Sequence, residues 1–237
     1  MRAGQTLRAS DGYQVALFPL EYLYISQGEL MPSGWSHYNT YNMDFLGYGS
    51  NGRIYDCPLY APCDLKVVAL WDYSGSHTVT FESVNKVHLA DGTLDYLTIE
   101  FTHADDPPYH TVGDTVSQGS LCYYTGTFGQ SVTGDHVHIC CGKGHYDGYT
   151  QRVGGHYDLT NRMHLYDALY VNDTVIEHDE HDYPWKTYSS PSPTPTRNKS
   201  HFPWVLYANR LRDKMSSWHL SLFLVFYNWG CDIIWQI

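Results

Sequence analysis

No stretch of the first 160 residues carries a helical hydrophobic period, and nothing else in the sequence narrows the fold as much. Short runs rich in Tyr, Val, Leu and Thr alternate instead with turn signals. Residues 13–27 read as a lead-in and a strand, closed by Gly28 and Pro32-Ser33-Gly34. Strand-rich runs follow at Tyr60–Leu70 and His77–Val87. Asp91-Gly92 is a hairpin signal with Leu94–Thr102 as the returning strand, and Val112–Val116 is a turn between short strands. Leu121–Thr125 and His136–Cys141 complete the set. This cadence predicts an all-β core, an antiparallel sandwich or barrel. The 22 Tyr, 7 Trp and 20 Gly agree, since such residues suit strands and turns better than long helices.

With 237 residues, one sizeable core and an appendage fit, two medium domains at most. A formal net charge of −11 argues against nucleic acid as the main partner, because duplex binding needs clustered Lys and Arg. The six cysteines include no Cys-x-x-Cys pair, so neither a zinc ribbon nor a disulfide framework is expected, and buried reduced thiols are. Met1–Gln14 lacks an apolar run of signal-peptide length, which predicts a protein made in the cytoplasm and not exported by the usual route.

Character changes after residue 148. Residues 1–148 are read as the main β domain and 149–188 as an extension packed on it, with Met163–Val171 a short strand or one helical turn. His178-Asp-Glu-His-Asp182 has the composition of a metal tract, but a short charged run is more often a solvated loop. Residues 189–200, rich in Pro, Ser and Thr, form a stiff linker, and 201–237 an aromatic-basic and apolar tail. Asn228, Asp232 and Gln236 interrupt the run Trp218–Ile237, and Asp alone costs about 3 kcal/mol at the centre of a membrane helix, so a membrane anchor is disfavoured.

Chemistry concentrates in Ser131-Val-Thr-Gly-Asp-His-Val-His-Ile139. Residues two apart on a strand share a face, so His136 and His138 project side by side, one able to bind a metal while the other works beside it. Catalytic zinc takes three protein ligands and keeps a fourth position open. The best candidates are His37, Asp44 and His138, the first two lying in Ser36-His-Tyr-Asn-Thr-Tyr-Asn-Met-Asp-Phe45 after a Gly/Pro turn. Tyr38, Tyr41, Tyr123 and Tyr124 either line a groove or simply serve as strand formers; the second is preferred.

The order of motifs resembles the lysostaphin/LytM-type zinc endopeptidases that cut peptidoglycan cross-links. Ile25-Ser-Gln-Gly28, the His37/Asp44 pair, Tyr60-Ala-Pro-Cys-Asp-Leu-Lys-Val-Val68 and Leu97-Thr-Ile-Glu-Phe-Thr-His103 are similar to that family's successive segments. So are Val112-Gly-Asp-Thr-Val-Ser-Gln-Gly119 and Thr125-Gly-Thr-Phe-Gly-Gln-Ser-Val-Thr-Gly-Asp-His-Val-His138. The resemblance spans roughly residues 13–145. It departs in two places: His37 and Asp44 are seven residues apart where four is usual, with Thr40 at the expected histidine, and Leu65 replaces a turn glycine.

The resemblance implies a β-sandwich with a substrate groove and Zn2+ at its floor, held by His37, Asp44 and His138. It makes His103 and His136 catalytic without being ligands, either of them able to act as the base while the other stabilises the oxyanion. The implied activity is zinc-dependent hydrolysis of peptide bonds in bacterial peptidoglycan. The layout of head, linker and tail resembles phage or prophage lysins, with His201–Arg212 touching the wall. A monomer acting on the wall after release, or as a virion component, is expected. The alternatives are a non-catalytic peptidoglycan-binding regulator, a phage tail-tip hydrolase, and a plain sugar-binding sandwich, which would not need the His/Asp order.

Overall fold

Strand formers between turns set up a sheet in which nearly every strand is short. In a computed structural model of the chain, residues 1–71, 77–129, 132–151 and 157–190 are described. The tail, its linker beyond Ser190, the apolar run Trp218–Ile237 and Cys231 lie outside them. The first strands are β1 (Tyr22–Gln27), β2 (Met43–Phe45), β3 (Tyr48–Gly49), β4 (Gly52–Arg53), β5 (Pro58–Tyr60) and β6 (Leu65–Trp71). Next come β7 (Thr78–Ser83), β8 (Val87–His88), β9 (Leu94–Asp95), β10 (Leu97–Thr102), β11 (Thr115–Val116) and β12 (Leu121–Tyr124). The last are β13 (Val137–Lys143), β14 (Tyr149–Gln151), β15 (Tyr157–Leu159), β16 (Arg162–Met163) and β17 (Val175–His178). A single helical turn, α1 (Leu165–Ala168), precedes β17.

Nine strands form the main sheet in the order β11-β6-β7-β10-β13-β2-β1-β17, with β16 also pairing β13. One departure from the sequence expectation stands out. The sheet is not wholly antiparallel: β17 runs parallel to β1, because the chain crosses over through α1 before rejoining the edge. Asp91-Gly92 does turn the chain, with Gly92 at φ 86°, and Leu94–Thr102 returns in two pieces, β9 against β8 and β10 against β7.

The core forms where the period-2 faces meet. Leu97, Ile99 and Phe101 of β10 join Val67, Val79, Phe81, Val137 and Ile139, all fully buried. The β5–β12 ribbon supplies Leu59, Cys122 and Tyr123 to the same cluster, with Tyr123 stacked 5.6 Å from Phe101. Phe18 meets Phe45 edge-on at 5.0 Å and Trp185 at 5.6 Å, so residues up to 185 pack on the same core. Truncating a fully buried Phe such as Phe45 to Ala costs about 3–5 kcal/mol. The five described cysteines are free and buried.

The other face of β10, with Thr98, Glu100 and Thr102, is buried as well. Tyr149 donates to Glu100 and Asn161 to Thr98, so the β14–β15 hairpin and the turn after it cover what alternation alone would leave in water.

Candidate metal centre

Three adjacent strands set the site. In one rung Thr102 of β10 faces His138 of β13, His138 faces Asp44 of β2, and Asp44 faces Gln27 of β1. Met43 and Phe45 point into the core, so Asp44 between them points to the opposite face, where His138 also projects. His138 Nδ1 lies 2.9 Å from Asp44 Oδ1. His136 precedes β13 by one residue, bridged to Gly126 through a reciprocal backbone pair of 2.9 and 3.0 Å. Its Nε2 reaches to 3.7 Å from Asp44 Oδ2.

His37 arrives from the loop between β1 and β2. The seven-residue separation from Asp44 is taken up by a fold-back in which Leu30 N–H donates to Thr40 O and Met31 N–H to His37 O. Asn39 turns at φ 59°, a conformation asparagine tolerates better than most residues. His37 Nδ1 sits 2.9 Å from the Gly28 carbonyl and therefore carries its hydrogen there, which leaves the Nε2 lone pair facing inward. That nitrogen is 3.3 Å from Asp44 Oδ1 and 3.2 Å from His138 Nδ1.

His103 follows the end of β10 with φ 93°, a backbone conformation L side chains rarely adopt. The surroundings hold it there. His103 Nδ1 donates to Phe128 O at 2.9 Å, Phe128 N–H returns to His103 O at 3.2 Å, and Ala104 N–H donates to the Tyr123 hydroxyl at 3.0 Å. Gly126 is required beside it, since a Cβ there would strike the His103 carbonyl and the Asp105 amide. The ring centre of His103 lies 4.7 Å from that of His136 and 6.0 Å from that of His138. His136 Nδ1 is also tied to a carbonyl, Gly134 O at 2.8 Å. Both rings thus have Nδ1 engaged by a backbone carbonyl, and His136 turns its Nε2 toward Asp44.

Electrostatics tie these groups to one another. Burial opposes the ionised Asp44, yet the imidazoles of His37 and His138 outweigh it and hold its carboxyl well below the usual range. Burial also opposes a charged His37, and the Asp44 carboxylate overcomes that and raises its pKa. His138 is lowered by burial, and His103 is lowered to about 4 by burial and by the neighbouring His138 and His136. Two lone-pair nitrogens and a carboxylate oxygen pointing at one another need a proton or a cation between them. Their separations of 2.9, 3.2 and 3.3 Å suit a metal. Ligand atoms about 2.0–2.1 Å from a tetrahedral zinc lie about 3.3 Å apart. The donor set fits.

Among the described residues one other group, Asp56, Asp105 and Asp135, brings three ligand atoms together. Asp135 is already committed: its carboxylate accepts from Arg53, from Thr125 Oγ1 at 2.8 Å and from Asp56 N–H at 3.0 Å, which anchors the residue before His136. Asp105 accepts from Thr127 N–H and Oγ1. An open cleft of about 510 Å³ begins at Ala104 and Asp105, just past His103, and is walled by Asp56, Asp106, Tyr109 and Tyr124.

Of the tyrosines singled out in the sequence, Tyr123 is buried and structural, Tyr41 stacks on His164 under Arg162, and Tyr124 reaches the cleft. The run His178–Asp182 is a capped turn: Asp179 accepts from His181 N–H, Tyr183 N–H and Trp185 Nε1. Sequence reasoning missed Glu100, Cys140 and Tyr149, which lie directly behind His138. The available signal was a glutamate in mid-strand between Ile99 and Phe101.

No family model matches the chain. It is similar to Morphogenesis protein 1 of Bacillus phage B103, 33% identical over 183 residues that make up 77% of this chain and 47% of that protein. The chain thus spans about half the length of that curated relative. Among solved structures it is similar to the catalytic domain of the antimicrobial peptidase lysostaphin from Staphylococcus simulans, at 20% identity and a TM-score of 0.36, covering 53% of this chain and 80% of that one. It is also similar to a zinc containing peptidase from Vibrio cholerae, at 18% identity and a TM-score of 0.36, covering 57% and 42% of the two chains.

Proposed function

We propose that this chain is a zinc-dependent endopeptidase of the lysostaphin/LytM type that hydrolyses peptide bonds in bacterial peptidoglycan. One observation carries the proposal: His37 Nε2, Asp44 Oδ1 and His138 Nδ1 converge to within 3.3 Å of one another, with His103 and His136 alongside and their Nδ1 atoms held by backbone carbonyls. His37, Asp44 and His138 hold the ion. Held there, zinc would supply the Lewis acidity that polarises a carbonyl and lowers the pKa of a bound water.

This chain's own residues do the rest. The Gly28 carbonyl fixes which nitrogen His37 presents, and the β2–β13 register fixes Asp44 against His138. Each of His103 and His136 can accept a proton at Nε2 and, once protonated, donate to the oxyanion that forms on the scissile carbonyl.

The morphogenesis name of the phage relative favours a hydrolase carried on the phage particle over one released to lyse the cell. A free lysin is the second reading. Digestion of purified peptidoglycan by the zinc-loaded chain, with fragments identified by mass spectrometry, tests the activity. New peptide termini are expected, and intact stem peptides and cross-bridges would refute it. Immunodetection of the protein in purified particles separates the two settings.

A further inference from the structure

Behind His138 lies a buried polar chain that the proposed reaction does not use. Glu100, on the covered face of β10, accepts from the Tyr149 hydroxyl and from Thr80 Oγ1 at 3.3 Å. Its other oxygen lies 3.7 Å from Cys140 Sγ, and Cys140 Sγ in turn lies 3.6 Å from His138 Nε2. The placement follows from register, since Glu100 pairs directly with Cys140 and both β10 and β13 run through the middle of the sheet. Cys140 follows His138 by two residues and shares its face. Glu100 is 7% exposed and Cys140 1%, so neither meets bulk water.

Building on the metal centre proposed above, we infer that Glu100 and Cys140 are positioning residues that hold His138 with its hydrogen on Nε2 and its Nδ1 lone pair turned toward Asp44 and His37. The hydrogen count closes. With the Glu100 carboxylate ionised and able only to accept, the thiol spends its one hydrogen on Glu100 Oε1. The sulfur lone pairs then face His138 and accept from Nε2–H, so Nδ1 is the nitrogen left to bind. A metal-bound imidazole is generally oriented by the partner of its other nitrogen. His37 takes a backbone carbonyl for that purpose, whereas His138 takes a thiol backed by a carboxyl. Tyr149 and Thr80 keep the carboxyl from turning away.

The test uses the full chain loaded with zinc and two readouts that need no substrate. Two-bond proton–nitrogen correlation of the imidazoles should show His138 Nε2 as the protonated nitrogen and Nδ1 as the metal-bound one. Chelator competition should show Cys140→Val, apolar and similar in size, binding zinc about 10- to 100-fold more weakly. Cys140→Ser, which restores donor and acceptor, should stay close to wild type. A His138 bound through Nε2, or a folded Cys140→Val with wild-type zinc affinity, overturns the inference. If Cys140→Val does not fold, the ring assignment in the wild-type chain decides alone. A chain that gives the expected shifts yet leaves peptidoglycan intact supports the positioning role and refutes the activity. A chain that takes up no zinc removes the metal centre and this inference together.

Discussion

The described residues hold two trios of ligand-bearing side chains, and they teach different things about proximity. In His37, Asp44 and His138 two imidazoles meet one carboxylate, each histidine braced at its outer nitrogen, and the converging lone pairs call for a cation. In Asp56, Asp105 and Asp135 three carboxylates meet, two of them exposed, and the buried one is already saturated by Arg53, Thr125 and a backbone amide. What burial Asp56 has, and then Asp105 and Asp135, push its carboxyl upward, which is what repulsion among like charges produces. Closeness of ligand atoms is common to both trios. Only the first has its lone pairs aimed and its hydrogens parked elsewhere.

The largest expected effect is on the first trio. Replacing His138 with Ala should abolish stoichiometric zinc in metal analysis, and a variant that keeps one zinc at wild-type affinity would move the centre elsewhere. Replacing His103 or His136 with Ala should leave zinc in place and lower turnover roughly 100-fold or more, the scale of a lost acid–base group. Loss of zinc in either variant would make that histidine a ligand.

Asp135→Ala should act on stability, costing about 3 kcal/mol in denaturant unfolding, because it strands Arg53 and the Thr125 hydroxyl in a buried setting. Glu100 sharpens the same contrast through pH. Burial pushes its pKa to about 7 from an ordinary 4.5, so the folded state binds the extra proton and stability falls as pH rises between those values. The fall should reach about 3 kcal/mol at most, and Glu100→Gln should flatten that part of the stability profile. The smallest effect belongs to the second trio: Asp105→Asn should leave zinc content at one per chain, and a change in stoichiometry would show that the acidic group binds metal after all.

The candidate site is legible in the sequence by two routes, one geometric and one through an order of motifs that resembles the zinc endopeptidases. His136 and His138 declare a shared face because a strand has period 2, and the ordered His37, Asp44 and His103 suggest convergence. What cannot be read is register. Nothing local says that Thr102, His138 and Asp44 occupy one rung, or that a loop through Asn39 folds His37 back onto it. Glu100 and Cys140 stayed hidden for the same reason: their burial is decided by Tyr149 and Asn161, some forty to sixty residues downstream of β10. The parallel β1–β17 pair escaped because strand propensity carries no direction.

That last pairing has a consequence for how the protein is made. Tyr22 meets Val175, so one side of β1 has no strand partner until almost the whole described chain has left the ribosome. Ordered contacts so distant in sequence form late. Until then an unpaired edge of Tyr, Leu and Ile is open to any neighbouring nascent chain. A product stopped before residue 175 should therefore accumulate in the insoluble fraction even though every proposed ligand has already been synthesised. The strand that finally closes the edge, Val175-Ile-Glu-His178, is itself largely exposed and ends in charged and titratable side chains, which discourage a second copy from adding to it.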